Sequence, residues 1–246
     1  MENFIGDPVE QIQYWDHQDL PFDCAVVAQA DVINQYLDSP ISETQAVFDA
    51  AFNGWLTPDG TQPDDVGNLL DLYGIPNHHV EGATIEQLAA ELQAGNRVIV
   101  GVRAEELWAD GAGAEFSNWL CEAFGLDKAE YAPADHAIVV TGIDLSSPDH
   151  PMVIVNDSGK PDGAFDHYPL DKFMEAWENA NFSYVATDAP PPGHSALDFN
   201  LSSFMAQHVP DFDADQYALL VENVGAMGAT PATLSAEEWD QVLAGV

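Results

Sequence analysis

The apolar residues of this chain change period once, near residue 96, and that switch limits the folds open to it. Before it they recur at helical spacing. Val26, Val27, Ala30, Ile33 and Leu37 predict a helix over residues 23–37. A second helix is expected over 42–52, with Ser42 as its cap and Gln45 placed for a capping box. The stretch GWLTPDGTQP reads as a loop from its Gly, Pro and Asp content. Asp64 or Asp65 then caps a third helix through Tyr73, stopped by Gly74 and Pro76, and Thr84-x-x-Gln87 opens a fourth that ends near Gly95.

After the switch come short β-branched runs of strand length, at 97–102, 136–143 and 152–155. The segment 105–133 is less regular, with helical pieces around 119–124. A short helix at 171–178 and a last strand at 182–186 complete the pattern. Helices first and strands afterwards predict an α+β domain, with N-terminal helices packed on an antiparallel sheet. The run Asp188-Ala-Pro-Pro-Pro-Gly193 is a linker signal. The expected organisation is one domain over 1–187, a Pro-rich linker over 188–193 and a helical extension over 194–246 with no obvious chemistry.

Composition limits the partners. Apolar residues make up 46% of the 246, enough for one sizeable core. Five Lys and Arg stand against 42 Asp and Glu, a formal net charge of −37. Such a surface repels nucleic-acid phosphates and anionic lipid, so neither is an expected partner. The acids are spread along the whole chain, which reads first as solvation, and they would also attract a cationic peptide. The first residues, MENFIGDPVEQ, lack the basic start and apolar stretch of a secretory signal. No apolar run is long enough to span a bilayer. Two cysteines make no disulfide framework, and a lone reactive thiol fits a reducing compartment, so a cytoplasmic location is expected.

The chemistry gathers in two places. In Gln18-Asp-Leu-Pro-Phe-Asp-Cys24, Asp23 is a natural cap and Cys24 falls in the first turn of an apolar helix. Free N–H groups and the helix dipole favour a thiolate there, while an ionised Asp23 opposes it. Gln18, on the approach loop, can donate to an oxyanion forming beside the sulfur. The second place is Asp135-His136-Ala-Ile-Val-Val-Thr-Gly142-Ile-Asp144, followed by Pro151-Met-Val-Ile-Val-Asn-Asp157-Ser-Gly159. If these runs form a hairpin with Asp144 opposite Pro151, Asp157 faces Ile138, whose side chain shares a sheet face with His136. A slip of one residue would part the two side chains. In register, Asp157 accepts from one imidazole nitrogen and the other is left to take a thiol proton.

Other groups read as structure. Cys121, in an apolar helical patch with no nearby His, is expected in the core. His78-His79 are expected to be solvated loop histidines, since neighbours point to different sides. Trp55, Trp108, Trp119 and Trp177 could line a cleft, with a core role the first reading for each. Arg97, Arg103, Lys128, Lys160 and Lys172 form no phosphate site, and the acidic pairs fit no calcium loop. No metal or other cofactor is expected.

The pattern Gln18-x5-Cys24 at a helix start, His136 opening one strand and Asp157 ending the next resembles the bacteriocin-processing, double-glycine type of papain-like cysteine peptidase. More closely it resembles stand-alone bacterial peptidase C39-like domains, in the segments CAVVAQ, GWLTPDGT, DVGNLL, RVIVGV, DHAIVVTGID and NDSGKPDGA. The resemblance spans about residues 5–187. It implies a papain-like fold, Cys24 as nucleophile, His136 as general base and acid, Asp157 as orienting group and Gln18 as oxyanion donor, acting on a peptide or protein. Transporter-linked members carry an ATPase, and no GxxxxGK[ST] occurs here. A peptide-binding module on the same fold, or a transglutaminase-like or deamidating enzyme with the same triad, are the alternatives.

Overall fold

The computed structural model describes residues 4–108, 134–147 and 149–193. Within them the strands are β1 (Phe4–Gly6), β2 (Asn77–Val80), β3 (Val98–Val102), β4 (His136–Asp144), β5 (Met152–Asn156), β6 (Asp166–Pro169) and β7 (Tyr184–Thr187). The helices are α1 (Pro8–Gln11), α2 (Cys24–Ile33), α3 (Glu43–Asn53), α4 (Asn68–Leu72), α5 (Ile85–Gln93), α6 (Ala104–Trp108) and α7 (Leu170–Glu178). All strand pairings are antiparallel, in the order β2-β7-β3-β4-β5-β6, and β1 adds to β4. The expected α+β class holds.

The sheet is covered on both faces. Leu88 of α5 and Phe173 and Trp177 of α7 pack with Val100, Ile138 and Val155 on one side. Val26 and Ile33 of α2, with Leu69 and Leu70 of α4, pack with Ile99, Val139 and Val185 on the other. Strands buried on both faces read as unbroken apolar runs, which is why RVIVGV and HAIVV stood out. Helix α2 is buried along all of Ala25–Ile33, so it too is apolar nearly all round.

Local chemistry accounts for most boundaries. Ser42 accepts from Gln45 N at 3.2 Å, but the Gln45 amide turns to Asp49, so only half of the expected capping box forms. Around Thr84 and Gln87 the box is complete. The third helix departs from expectation: Pro63–Asp65 is a single 3-10 turn, and α4 starts only after Gly67, at φ +102. Gln29 of α2 replaces the expected Asp cap, its Oε1 accepting from Gly67 N at 2.7 Å and Leu69 N at 3.2 Å. His78 and His79 lie on strand β2, not a loop, and His78 contacts Asp188 and Glu91. Cys121, Trp119, Lys128 and the extension 194–246 fall outside the described residues. No helix among the described residues is long and apolar enough to cross a membrane.

Candidate active site

The hairpin of β4 and β5 sets His136 against Asp157, by a route slightly different from the one expected. At the turn end Asp144 pairs with Met152, one residue off the expected register. An irregularity between Val140 and Gly142 absorbs the difference, and Val139 then pairs with Asn156. One step further along that register Asp157 comes opposite Ile138, as the sequence predicted. His136 Nε2 lies 2.6 Å from Asp157 Oδ1.

Asp157 is fully buried and surrounded by donors. Gly159 N donates to Oδ1 at 2.9 Å, and the indole N–H of Trp108 donates to Oδ2 at 2.9 Å. Its backbone is held as firmly, with Asp157 N donating to Gly163 O and Trp15 Nε1 donating to Asp157 O. Burial alone would push the carboxyl up. The His136 charge and hydrogen bond, with the bonds from Trp108 and Gly159, outweigh that and hold it below the usual carboxylate range.

His136 is the mirror case. Burial alone would push the imidazole down, but the Asp157 carboxylate and then Cys24 hold it well above its ordinary range. The ring also meets Trp108 edge-on, with centroids 5.0 Å apart. Because Nε2 is taken by Asp157, Nδ1 is the nitrogen left for Cys24, whose side chain is among the groups that hold the imidazole up.

Cys24 is the first residue of α2 and is half-buried. Asp23 precedes it at the cap position, but through its backbone: its carbonyl accepts from Val26 N at 2.8 Å and Val27 N at 2.9 Å, and its side chain makes no cap bond. Gln18 is buried beside the Asp157 turn. Gln18 N donates to Ser158 O at 2.9 Å, its Oε1 accepts from Ser158 Oγ at 3.2 Å, and its Nε2 donates to Leu20 O at 2.7 Å. The approach loop and the His–Asp turn are thereby fastened together.

Two contributors were given no part in the site by the sequence. Trp108, read there as core, is buried and also bonded to Asp157. Asp135, the residue before His136, accepts from Ala104 N at 2.8 Å and so ties the start of β4 to the helix that carries Trp108. A short polar residue preceding the histidine was the available signal for Asp135, and for Trp108 it was the cleft reading that the sequence set second to a core role. No group of three or more His, Cys, Asp or Glu that could hold a metal ion occurs among the described residues. A thiol, an imidazole and a buried carboxylate in this order can pass a proton from sulfur to nitrogen and stabilise the ion pair that results.

Comparisons with known proteins bear on the family and the fold. The model of the peptidase C39-like family matches residues 12–185. An uncharacterized protein of Mycobacterium tuberculosis strain H37Rv is 30% identical over 213 residues, covering 74% of this chain and 84% of the relative, and one from Mycobacterium bovis matches to the same extent. Among solved structures, a Bacillus anthracis protein named as a C39-like peptidase is similar in fold, with a TM-score of 0.50 at 16% identity over 76% of this chain and 98% of that one.

Proposed function

Because the chain belongs to the peptidase C39-like family, we propose that it is a cysteine peptidase that hydrolyses a peptide bond through Cys24, His136 and Asp157. The observation that carries this reading is the 2.6 Å contact of His136 Nε2 with a buried carboxylate, which leaves Nδ1 to the thiol at the start of α2.

In this mechanism Cys24 transfers its proton to His136 Nδ1, and the thiolate attacks the scissile carbonyl carbon. The oxyanion that forms beside the α2 N-terminus is stabilised by the helix dipole and by the second amide hydrogen of Gln18 Nε2, whose first is taken by Leu20 O. His136 then returns its proton to the leaving amine as the C–N bond breaks, giving a thioester. Water, deprotonated by His136, attacks the thioester and releases the carboxylic acid and the free thiol. Asp157 stabilises the imidazolium through both stages. The substrate is a peptide or protein, and the excess of acidic residues favours a cationic one.

The test is cleavage of a peptide library by the full chain, read by mass spectrometry, beside Cys24→Ala and His136→Ala. Loss of cleavage in both variants supports the assignment, and cleavage unchanged in Cys24→Ala overturns it. A primary amine added as competitor separates hydrolysis from acyl transfer, since only a transferase puts most of the acyl group on the amine.

A further inference from the structure

The approach loop runs over the surface, and of residues 16–20 only Gln18 is buried. An exposed loop holds a buried donor in place only where hydrogen bonds tie it to firmer elements. Three ties come from the turn after β5. Trp15 Nε1 donates to Asp157 O at 2.9 Å, Gln18 N to Ser158 O at 2.9 Å, and Ser158 Oγ to Gln18 Oε1 at 3.2 Å. A fourth comes from the helical layer: Glu43, the first residue of α3, accepts from Asp19 N at 2.7 Å through Oε1. Asp19 lies inside the span that Gln18 Nε2 closes on Leu20 O at 2.7 Å, so the N–H that Glu43 grips belongs to that closed ring. Helix α3 also packs on α2, where Ala46 and Ala50 join Val26 and Ala30 in one buried cluster, and Cys24 opens α2. Ser158 thus refers Gln18 to the His136–Asp157 side of the site, and Glu43 refers it to the helical layer that carries the thiol.

We propose that Glu43 is a positioning residue for the oxyanion donor: its carboxylate clamps Asp19 N, which fixes the Gln18–Leu20 ring and with it the direction of the second Nε2 hydrogen. The proposal rests on the thiol-peptidase reading, in which that hydrogen meets the oxyanion beside Cys24. With the first hydrogen on Leu20 O and Oε1 on Ser158 Oγ, the amide plane keeps one orientation for as long as Leu20 O stays where the clamp holds it. A carboxylate acceptor at 2.7 Å makes a charge-assisted bond, about twice as strong as a neutral one, which suits it to holding an exposed loop. A donor fixed in advance stabilises the transition state because it needs no reorganisation as charge develops. Without the clamp the ring loosens and the amide aims less often at the oxyanion.

Glu43→Ala removes the clamp and leaves Cys24, His136, Asp157 and Gln18 in the chain. With the full chain and a cleaved library peptide, kcat is expected to fall about three- to tenfold with KM changed little, less than the hundredfold or more that follows deletion of an oxyanion donor. Glu43→Gln keeps an acceptor for Asp19 N and recovers most of the rate. Placed on Gln18→Ala, Glu43→Ala has no further effect, since no donor is left to aim. Alkylation of Cys24 by iodoacetamide is unchanged, because displacement of iodide by the thiolate forms no oxyanion. Full kcat in Glu43→Ala, the same loss with and without Gln18, or alkylation slowed in step with kcat overturns the proposal. A protein that cleaves nothing loses the peptidase reading, and the clamp is then decided by NMR exchange of the Gln18 side-chain amide hydrogens. Exchange about threefold or more faster in Glu43→Ala supports it, and unchanged exchange overturns it. If Glu43→Ala does not fold, the Asp19 amide of the unaltered chain decides. Exchange about tenfold or more slower than in an unstructured peptide supports the clamp, and exchange at the unstructured rate overturns it.

Discussion

Trp108 and His136 hold the two oxygens of one carboxylate: the indole N–H donates to Asp157 Oδ2 at 2.9 Å, and the imidazole Nε2 lies 2.6 Å from Oδ1. The tryptophan therefore fixes the carboxylate plane that in turn fixes the ring. Trp108→Phe keeps an aromatic wall beside His136 and removes only the donor. A hydrogen bond to a charged group contributes about 1.5–3 kcal/mol, so kcat/KM is expected to fall about tenfold or more, with KM changed little. Steady-state kinetics on a cleaved library peptide check this, with urea unfolding to confirm that the fold survives. A phenylalanine variant with full kcat would remove Trp108 from the machinery.

The His136–Asp157 pair makes stability depend on pH in a definite direction. His136 is held above its ordinary range, so its share of stability is present below about pH 6.5 and is lost as pH rises through its folded-state pKa. Asp157 is held below its ordinary value, so its share is present above about pH 4 and is lost as pH falls through its folded-state pKa. Both shares are in place between those limits. Asp157→Asn should be most damaging there, by about 3 kcal/mol, because it removes the carboxylate that pairs with the buried His136 imidazolium. Urea midpoints of the two proteins from about pH 4 to about pH 10 should converge once the pH passes the folded-state value of His136. A gap that widened with alkalinity would refute the ion pair.

Gly159 is where the site tolerates no side chain. A Cβ there would lie 2.9 Å from His136 Cε1 and 2.9 Å from Trp108 Cη2, both on rigid rings. Gly159→Ala must therefore displace the imidazole, the indole or the turn. The expected result is a loss of kcat of about tenfold or more, since a misplacement of about 1 Å can cost a hundredfold. Stability should fall by no more than about 1–3 kcal/mol, the usual cost of overpacking. Cys24 alkylation should slow in parallel with kcat. Kinetics equal to those of the unaltered protein would show that the turn gives way without moving His136.

The sequence made legible what depends on short-range pattern. The start of α2, the double-buried runs of β3 and β4 and the helix start at Thr84 all act within a few residues, and each appears where expected, although α2 ends at Ile33, short of the expected Leu37. Cys24, His136 and Asp157 were readable for the same reason, each standing at the end of a recognisable element. What escaped depends on contacts far apart in the chain. Strands β1, β2 and β6 are only three or four residues long and owe their existence to partners elsewhere in the sheet. Gln29 stands 38 residues from the helix start that it caps, and Trp108 stands 49 residues from Asp157. The hairpin register was right at the site and wrong at its turn, because the irregularity after Val140 leaves no mark on the apolar pattern.

Arg97 is the remaining buried charge whose removal has a predictable cost. It is 3% exposed and its Nη1 lies 3.0 and 2.9 Å from the two oxygens of Asp7, itself 2% exposed. It also bonds Gln35 of the segment after α2 and the carbonyl of Gly95 at 3.1 Å. Asp7 in turn accepts from Gln11 at 2.6 Å, so one guanidinium joins the N-terminal turn, the end of α2 and the entry to β3. Arg97→Met fills a similar volume but leaves the Asp7 carboxylate buried and uncompensated, and should cost about 3–5 kcal/mol. Adding Asp7→Asn removes that charge while keeping an acceptor for Gln11, so the double variant should recover more than half of the loss. Urea unfolding of the singles and the double, read as a thermodynamic cycle, measures the coupling. Losses that simply add would mean that the two charges stabilise the fold independently and that the pair does not hold the N-terminal turn in place.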